Sequence, residues 1–103
     1  MSAETLKGHL DGMILAVVGD APAHGYVLIE SLKLRSGGVF DLPEGTVYPA
    51  LHRLEAEGLL SSGWVNAGRR RRVYRLTRRG RAALAERRSE WERFSRAVDG
   101  VLA

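Results

Sequence analysis

The stretch Leu59-Leu60-Ser61-Ser62-Gly63-Trp64-Val65-Asn66-Ala67-Gly68-Arg69-Arg70-Arg71-Arg72-Val73-Tyr74-Arg75-Leu76 decides the fold, because its pattern differs from that of the chain on either side. Leu59 to Val65 and Arg72 to Leu76 read as two strands. Residues 66–71 join them as a hairpin, with Asn66 and Gly68 supplying turn chemistry. On both sides of this hairpin the apolar spacing is helical. Upstream, Leu6, Leu10, Met13, Ile14, Val17 and Val18 predict a helix over Glu4–Val18, stopped by Gly19-Asp20-Ala21-Pro22. Tyr26, Ile29 and Leu32 predict a second over Gly25–Arg35, ended by Ser36-Gly37-Gly38. Val39 to Leu42 predict a short extended piece, and Pro43 suits the first position of a third helix. That helix carries Val47, Leu51 and Leu54 on one face and ends at Gly58. Pro49 lies inside it, where proline costs about 3 kcal/mol; the expectation is a continuous helix with a local distortion. Downstream, Thr77 is a good N-cap for a last helix that runs to about Val101.

The order is helix, helix, short strand, helix, hairpin, helix. It predicts a mainly α chain with a small β-hairpin, the winged helix-turn-helix plan, followed by a C-terminal helix. Residues 1–76 form the winged-helix segment and 77–103 the last helix, within one structural domain. In this plan the third helix enters the major groove of DNA, and the hairpin, or wing, reaches flanking phosphates or the minor groove.

Charge points the same way. Between Gly68 and Arg81 there are eight arginines and no acid. Arginine stays charged, and its planar fork matches phosphate oxygens. From Met1 to Gly58 four Lys and Arg face eight Asp and Glu, a net of −4; from Leu59 to Ala103 twelve face four, a net of +8. A chain with one basic half presents a preferred face to a polyanion. The competing reading is a solvated charged face, but no acid interleaves to neutralise it. An anionic membrane surface would also attract it, yet a basic hairpin lacks the apolar side of an interfacial helix.

The remaining composition narrows the function classes. At 103 residues and 45% hydrophobic, the chain is the size of one small globular domain. There is no cysteine, hence no disulfide and no thiol chemistry. His9, His24 and His52 are far apart and show no metal spacing, so neither metal nor cofactor is expected. No Ser-His-acid arrangement, paired carboxylates or Gly-rich phosphate loop stands out, and an enzyme is not expected. The run Met13–Val18 is too short to span a bilayer, and the first residues do not read as a signal peptide, which makes the cytoplasm the expected location.

On the third helix, Thr46, Tyr48, His52 and Arg53 are the candidate DNA-reading residues, and Arg69, Arg70, Arg71 and Arg72 the candidate wing contacts. Arginine pairs with guanine, threonine touches a thymine methyl and tyrosine bonds a phosphate. The alternatives are that Tyr48 packs on the hairpin and that Arg53 pairs with Glu57 one turn on. Glu44, Glu55 and Glu57 keep this helix from being basic, so affinity is expected to come mainly from the wing.

Glu44-Gly45-Thr46-Val47-Tyr48-Pro49-Ala50-Leu51-His52-Arg53-Leu54-Glu55 resembles the recognition-helix signature of PadR-type transcriptional regulators. His24-Gly25-Tyr26 is similar to the start of that family's second helix, and Tyr74-Arg75-Leu76-Thr77 with Gly80 to its last strand and entry into the final helix. The resemblance spans almost the whole chain, is closest to the members with one short C-terminal helix, and makes Pro49 a family feature. It implies a dimeric bacterial or archaeal repressor. Two positions depart from it: Arg78 and Arg79 stand where the family often has an acid, against the helix dipole, and Val27 replaces an acid.

Leu84, Trp91 and Val98 are spaced by seven, with Phe94 and Val101 as a second row. This is a seam that one small domain does not cover alone. The expectation is a homodimer through this helix and the partner's first helix, with Leu6, Leu10, Leu84, Trp91, Phe94, Val98 and Val101 at the interface. The alternative is a helix folded back on its own core. In some short members that the chain resembles, an aromatic of this helix stacks flat hydrophobic compounds between subunits. That effector role carries over to Trp91, with Phe94 beside it. The reading as a whole is a sequence-specific DNA-binding regulator, a homodimeric repressor at an inverted-repeat operator in double-stranded DNA, relieved by a small hydrophobic ligand. The alternative is a winged-helix interaction module for an acidic partner protein.

Overall fold

The computed structural model describes residues 3–103; Met1 and Ser2 of the 1–76 segment lie outside the described residues. The elements are α1 (Ala3–Asp20), β1 (Ala23–His24), α2 (Gly25–Arg35), α3 (Glu44–Ala56), β2 (Leu60–Ala67), β3 (Arg69–Leu76) and α4 (Arg78–Leu102). The fold is mainly helical with one small antiparallel sheet, in the strand order β1-β3-β2.

The helices bury the apolar faces that their spacing defines. Ile14, Leu15, Leu28, Val47, Leu51, Leu54, Leu60 and Tyr74 are the largest fully buried side chains among the described residues, drawn from α1, α2, α3 and the root of the hairpin. Helix α2 begins at the residue its sequence indicates, where His24 takes an extended N-cap conformation. It ends where Gly37 and Gly38 take positive φ angles of 63° and 90°. Helix α3 is continuous through Pro49. Pro43 caps it from outside rather than occupying its first position.

Two expectations about the sheet need correction. The extended piece over 39–42 carries no strand pairing; the short strand is Ala23–His24, which pairs with β3 through Ala23↔Tyr74 and His24↔Val73. Two residues are too few for an alternating pattern to register in sequence. The hairpin is also longer than predicted. Gly68 alone, at φ 76°, separates Ala67 from its partner Arg69, so all four consecutive arginines lie in a strand. Arginines look like loop residues by composition, but a ladder of backbone hydrogen bonds does not require apolar side chains.

Helix α4 starts as its N-cap predicts. The Thr77 hydroxyl accepts from the Gly80 amide at 3.0 Å and donates to the Gly58 carbonyl at 2.7 Å. Gly80 is buried against Leu59, whose carbonyl would overlap any Cβ placed there. Thr77→Ala removes both hydroxyl bonds. It is expected to destabilise the fold by about 1–2 kcal/mol, read as a fall of several degrees in Tm; an unchanged melt would show that the cap is dispensable. Only Gly80 and Leu84 of α4 are buried, and the molecule measures 52 Å along its longest axis. The first turns of α4 therefore belong to the core, and the remainder projects from it.

Candidate nucleic-acid interface

Helix α3 buries Val47, Ala50, Leu51 and Leu54 and turns a crest of Gly45, Pro49, His52 and Ala56 to solvent. Most of this crest is small, so the helix backbone can approach a groove floor closely. Its flanks differ. On one, half-buried Thr46 and exposed Arg53 face α1; on the other, half-buried Tyr48 and Glu55 face α2 and the hairpin.

Arg53 is not placed to read a base. Its guanidinium donates to both Asp11 carboxylate oxygens, at 2.6 and 2.9 Å, and to Glu57 at 3.3 Å. The hydrogen bonds to Asp11, foremost among the causes, raise its pKa above the ordinary arginine value. Arg87 of α4 lies 3.8 Å from the same aspartate. Asp11 thus joins α1, α3 and α4, and the Arg53–Glu57 pairing raised as an alternative from sequence is present. Tyr48 is half-buried against the core cluster that includes Leu60 and Tyr74 of the hairpin, and a Cβ at residue 25 would fall 2.7 Å from its ring, so Gly25 makes the seat for this tyrosine. His52 is exposed.

The strand alternation of β3 divides the arginine run into two faces. Arg70 and Arg72 share a face with Tyr74; Arg69 and Arg71 share the other with Val73. On the first face, Arg70 lies 4.4 Å and Arg72 5.6 Å from the centre of the Trp64 ring, in cation–π contact with an indole that is itself exposed. Arg72 also donates to Ser62 at 2.7 Å and reaches Glu55 of α3 at 3.4 Å. On the second face, Arg71 lies 2.7 Å from His24 Nε2. Partial burial first, then the Arg71 guanidinium, pulls the His24 pKa below its usual value. A neutral imidazole accepts through only one nitrogen. Accepting from Arg71 therefore places the proton on Nδ1 and gives up the weaker contact with the Val27 amide at 3.5 Å. Among the described residues, Arg69, Arg70, Arg71 and Arg75 have no carboxylate within salt-bridge distance.

The seam of α4 divides as well. Leu84 is buried in the protomer's own core together with Leu10, and Leu6 packs against that core half-buried. For these three residues the fold-back alternative describes the packing, because α1 lies against the root of α4. Beyond it, Trp91 is 53% exposed and Phe94 56%, with Val98 half-buried and Val101 exposed. His9 of α1 meets the Trp91 ring edge-on at 5.2 Å, and Phe94 lies 6.0 Å from it.

Sequence reasoning missed His9, Asp11, His24, Glu55, Ser62 and Trp64. The alternation of β2 was enough to group Ser62 and Trp64, but their partners on β3 depend on a register that the one-glycine turn sets. Among the described residues no group of His, Cys, Asp and Glu is arranged to hold a metal ion, and no helix is long and apolar enough to cross a membrane.

Comparison with known proteins agrees with this architecture. The chain is 49% identical over 88 residues to "Transcriptional regulator Rv3488" of Mycobacterium tuberculosis (strain ATCC 25618 / H37Rv), a match covering 84% of this chain and 79% of that one. The crystal structure of a PadR family transcriptional regulator from Eggerthella lenta DSM 2243 superposes with a TM-score of 0.83 at 34% identity, over 96% of this chain and 86% of that one. A transcriptional regulator from Clostridium thermocellum superposes with a TM-score of 0.90 over 98% and 100%, and at 24% identity it speaks for the fold alone. The pattern of the "Transcriptional regulator PadR-like family" matches residues 14–86. With its recognition helix, arginine wing and single projecting C-terminal helix, the chain belongs to the PadR-like family of transcriptional regulators, which are DNA-binding proteins.

Proposed function

We propose that the protein is a homodimeric repressor that acts in the cytoplasm on an inverted-repeat operator. Residues 1–76 bind DNA and 77–103 hold the dimer. The observation that carries the DNA reading is the set of exposed wing arginines 69, 70 and 71, none with a carboxylate within salt-bridge distance among the described residues. Thr46, Tyr48 and His52 are assigned to the major groove, and the three arginines to flanking phosphates. The dimer reading is carried by Trp91, Phe94, Val98 and Val101, an apolar row on the part of α4 that leaves its own core. A two-fold axis through that row covers it and sets two α3 helices against half-sites about 34 Å apart. The exposed indole of Trp91, with Phe94 beside it, is the surface on which a flat hydrophobic effector would stack.

Footprinting on duplex DNA selected by the protein tests this reading; protection of two half-sites is expected, and a single unpaired half-site would count against it. Thr46→Ala and Tyr48→Ala are expected to relax the preference between selected and scrambled duplexes by about fivefold each, some 1 kcal/mol of base discrimination. If both variants keep the wild-type preference, α3 does not read bases. Transcription from a promoter overlapping the selected site decides between repression and activation.

A further inference from the structure

We propose that Glu55, Ser62 and Arg72 form a clamp that fixes the angle of the wing on the recognition helix, so that Arg72 governs selectivity and touches no phosphate. The inference rests on the DNA-binding reading above and gives one member of the arginine run a different task from its neighbours.

The geometry separates Arg72 from the rest. The Ser62 hydroxyl donates to one Glu55 oxygen at 2.6 Å; Arg72 Nε donates to that same hydroxyl at 2.7 Å, and an Arg72 terminal nitrogen lies 3.4 Å from the other Glu55 oxygen. Three residues from α3, β2 and β3 therefore close one ring of hydrogen bonds. Trp64 stands directly across the ladder from Arg72 and lies against its guanidinium. Two of its three nitrogens are already engaged. Glu55 also places a negative charge beside it, which a phosphate would have to approach. Arg69, Arg70 and Arg71 have no such carboxylate among the described residues.

The clamp sits where the wing needs a tie. Leu60 and Tyr74 root the hairpin in the core, but Trp64, Val65 and Asn66 of β2 are exposed. A two-stranded ribbon without a packed face twists easily. The Glu55 clamp holds one face of the ribbon and ties it to α3 itself. Contacts from a rigid wing and a rigid α3 are satisfied together only on DNA that fits both. A loose wing follows phosphates on any sequence. Preorganisation of this kind raises the affinity for the fitting duplex and leaves the others unaffected.

The test uses the full chain with two duplexes, one selected by the wild-type protein from a random pool and one scrambled from it, titrated over a range of salt. Arg72→Gln and Ser62→Ala are expected to lower the ratio of selected to scrambled affinity about tenfold, within the range of typical coupling between sites, with the slope of log affinity against log salt unchanged. Arg71→Gln, the comparison, is expected to weaken both duplexes alike and to flatten the slope by about 0.9. Ser62→Ala removes only a hydroxyl from a hairpin edge, so it decides the matter if Arg72→Gln fails to fold. A slope flattened by Arg72→Gln as much as by Arg71→Gln would make Arg72 a phosphate ligand and overturn the proposal. So would a selectivity ratio that neither Arg72→Gln nor Ser62→Ala changes. Wild-type protein that bound neither duplex would instead remove the DNA-binding reading beneath it.

Discussion

Replacing Arg70 and Arg71 together with Ala is expected to weaken binding to every duplex by about 30-fold at 0.15 M salt and to flatten the log–log salt plot by about 1.8. Each lost phosphate contact removes about 0.9 from the slope, which at that salt is roughly a fivefold loss. The two arginines point to opposite faces of β3, one over Trp64 and one toward His24, and both are exposed. Neither is bonded to an acid among the described residues, so their removal leaves no buried charge and little reason for the fold to weaken. The loss should therefore appear in affinity and not in thermal stability. An unchanged slope would return the arginine run to the solvated-face reading, and a loss confined to the selected duplex would make these arginines readers of sequence.

Trp91→Ala is expected to weaken the proposed dimer about 1000-fold. Truncating a central interface aromatic costs about 2 kcal/mol, and a two-fold axis counts it twice, giving about 4 kcal/mol. The residue is 53% exposed in the single chain, with an edge contact to His9 and a tilted contact to Phe94. The protomer's own core loses little when it is removed. Sedimentation at a series of concentrations reads the change directly, and circular dichroism should show the helices intact. DNA affinity should fall with the dimer, because the two half-sites then no longer bind as one unit. A Trp91→Ala protein that sediments as wild type would move the interface elsewhere and leave the effector role without its residue. Binding of planar dyes, followed in a Trp64→Phe background so that Trp91 alone reports, tests the effector role separately.

How much of this was legible in sequence depended on the kind of interaction. Helices with a capped start were placed closely: Thr77 and the glycines after Arg35 act through neighbouring backbone, which sequence shows directly. The β1 strand was invisible because its pairing with β3 joins residues about fifty apart and lasts two residues. The hairpin's existence was plain, but its register followed from a one-glycine turn, and with it which arginine meets Glu55 and which meets His24. Arg53 shows the limit most clearly. On a helical wheel it is an exposed cation on the reading helix; in the fold Asp11, forty-two residues earlier, takes both its terminal nitrogens. The seam of α4 was real as a pattern, yet the pattern does not say where a helix leaves its own core. Leu84 lies inside that point and Trp91 outside it.

The projecting part of α4 is a lever whose fulcrum lies near Leu84. At about 1.5 Å per residue, Trp91 stands roughly 10 Å from that fulcrum and Leu102 roughly 27 Å. A sideways displacement of 1 Å at Trp91 therefore swings a rigid α4 by about 6°, and its far end by about 2.7 Å. Asp11, gripping Arg53 of α3 and reached by Arg87 of α4, sits beside that pivot. A small displacement at the aromatic row therefore grows toward Leu102, and the angle it imposes is large because Trp91 stands so near Leu84.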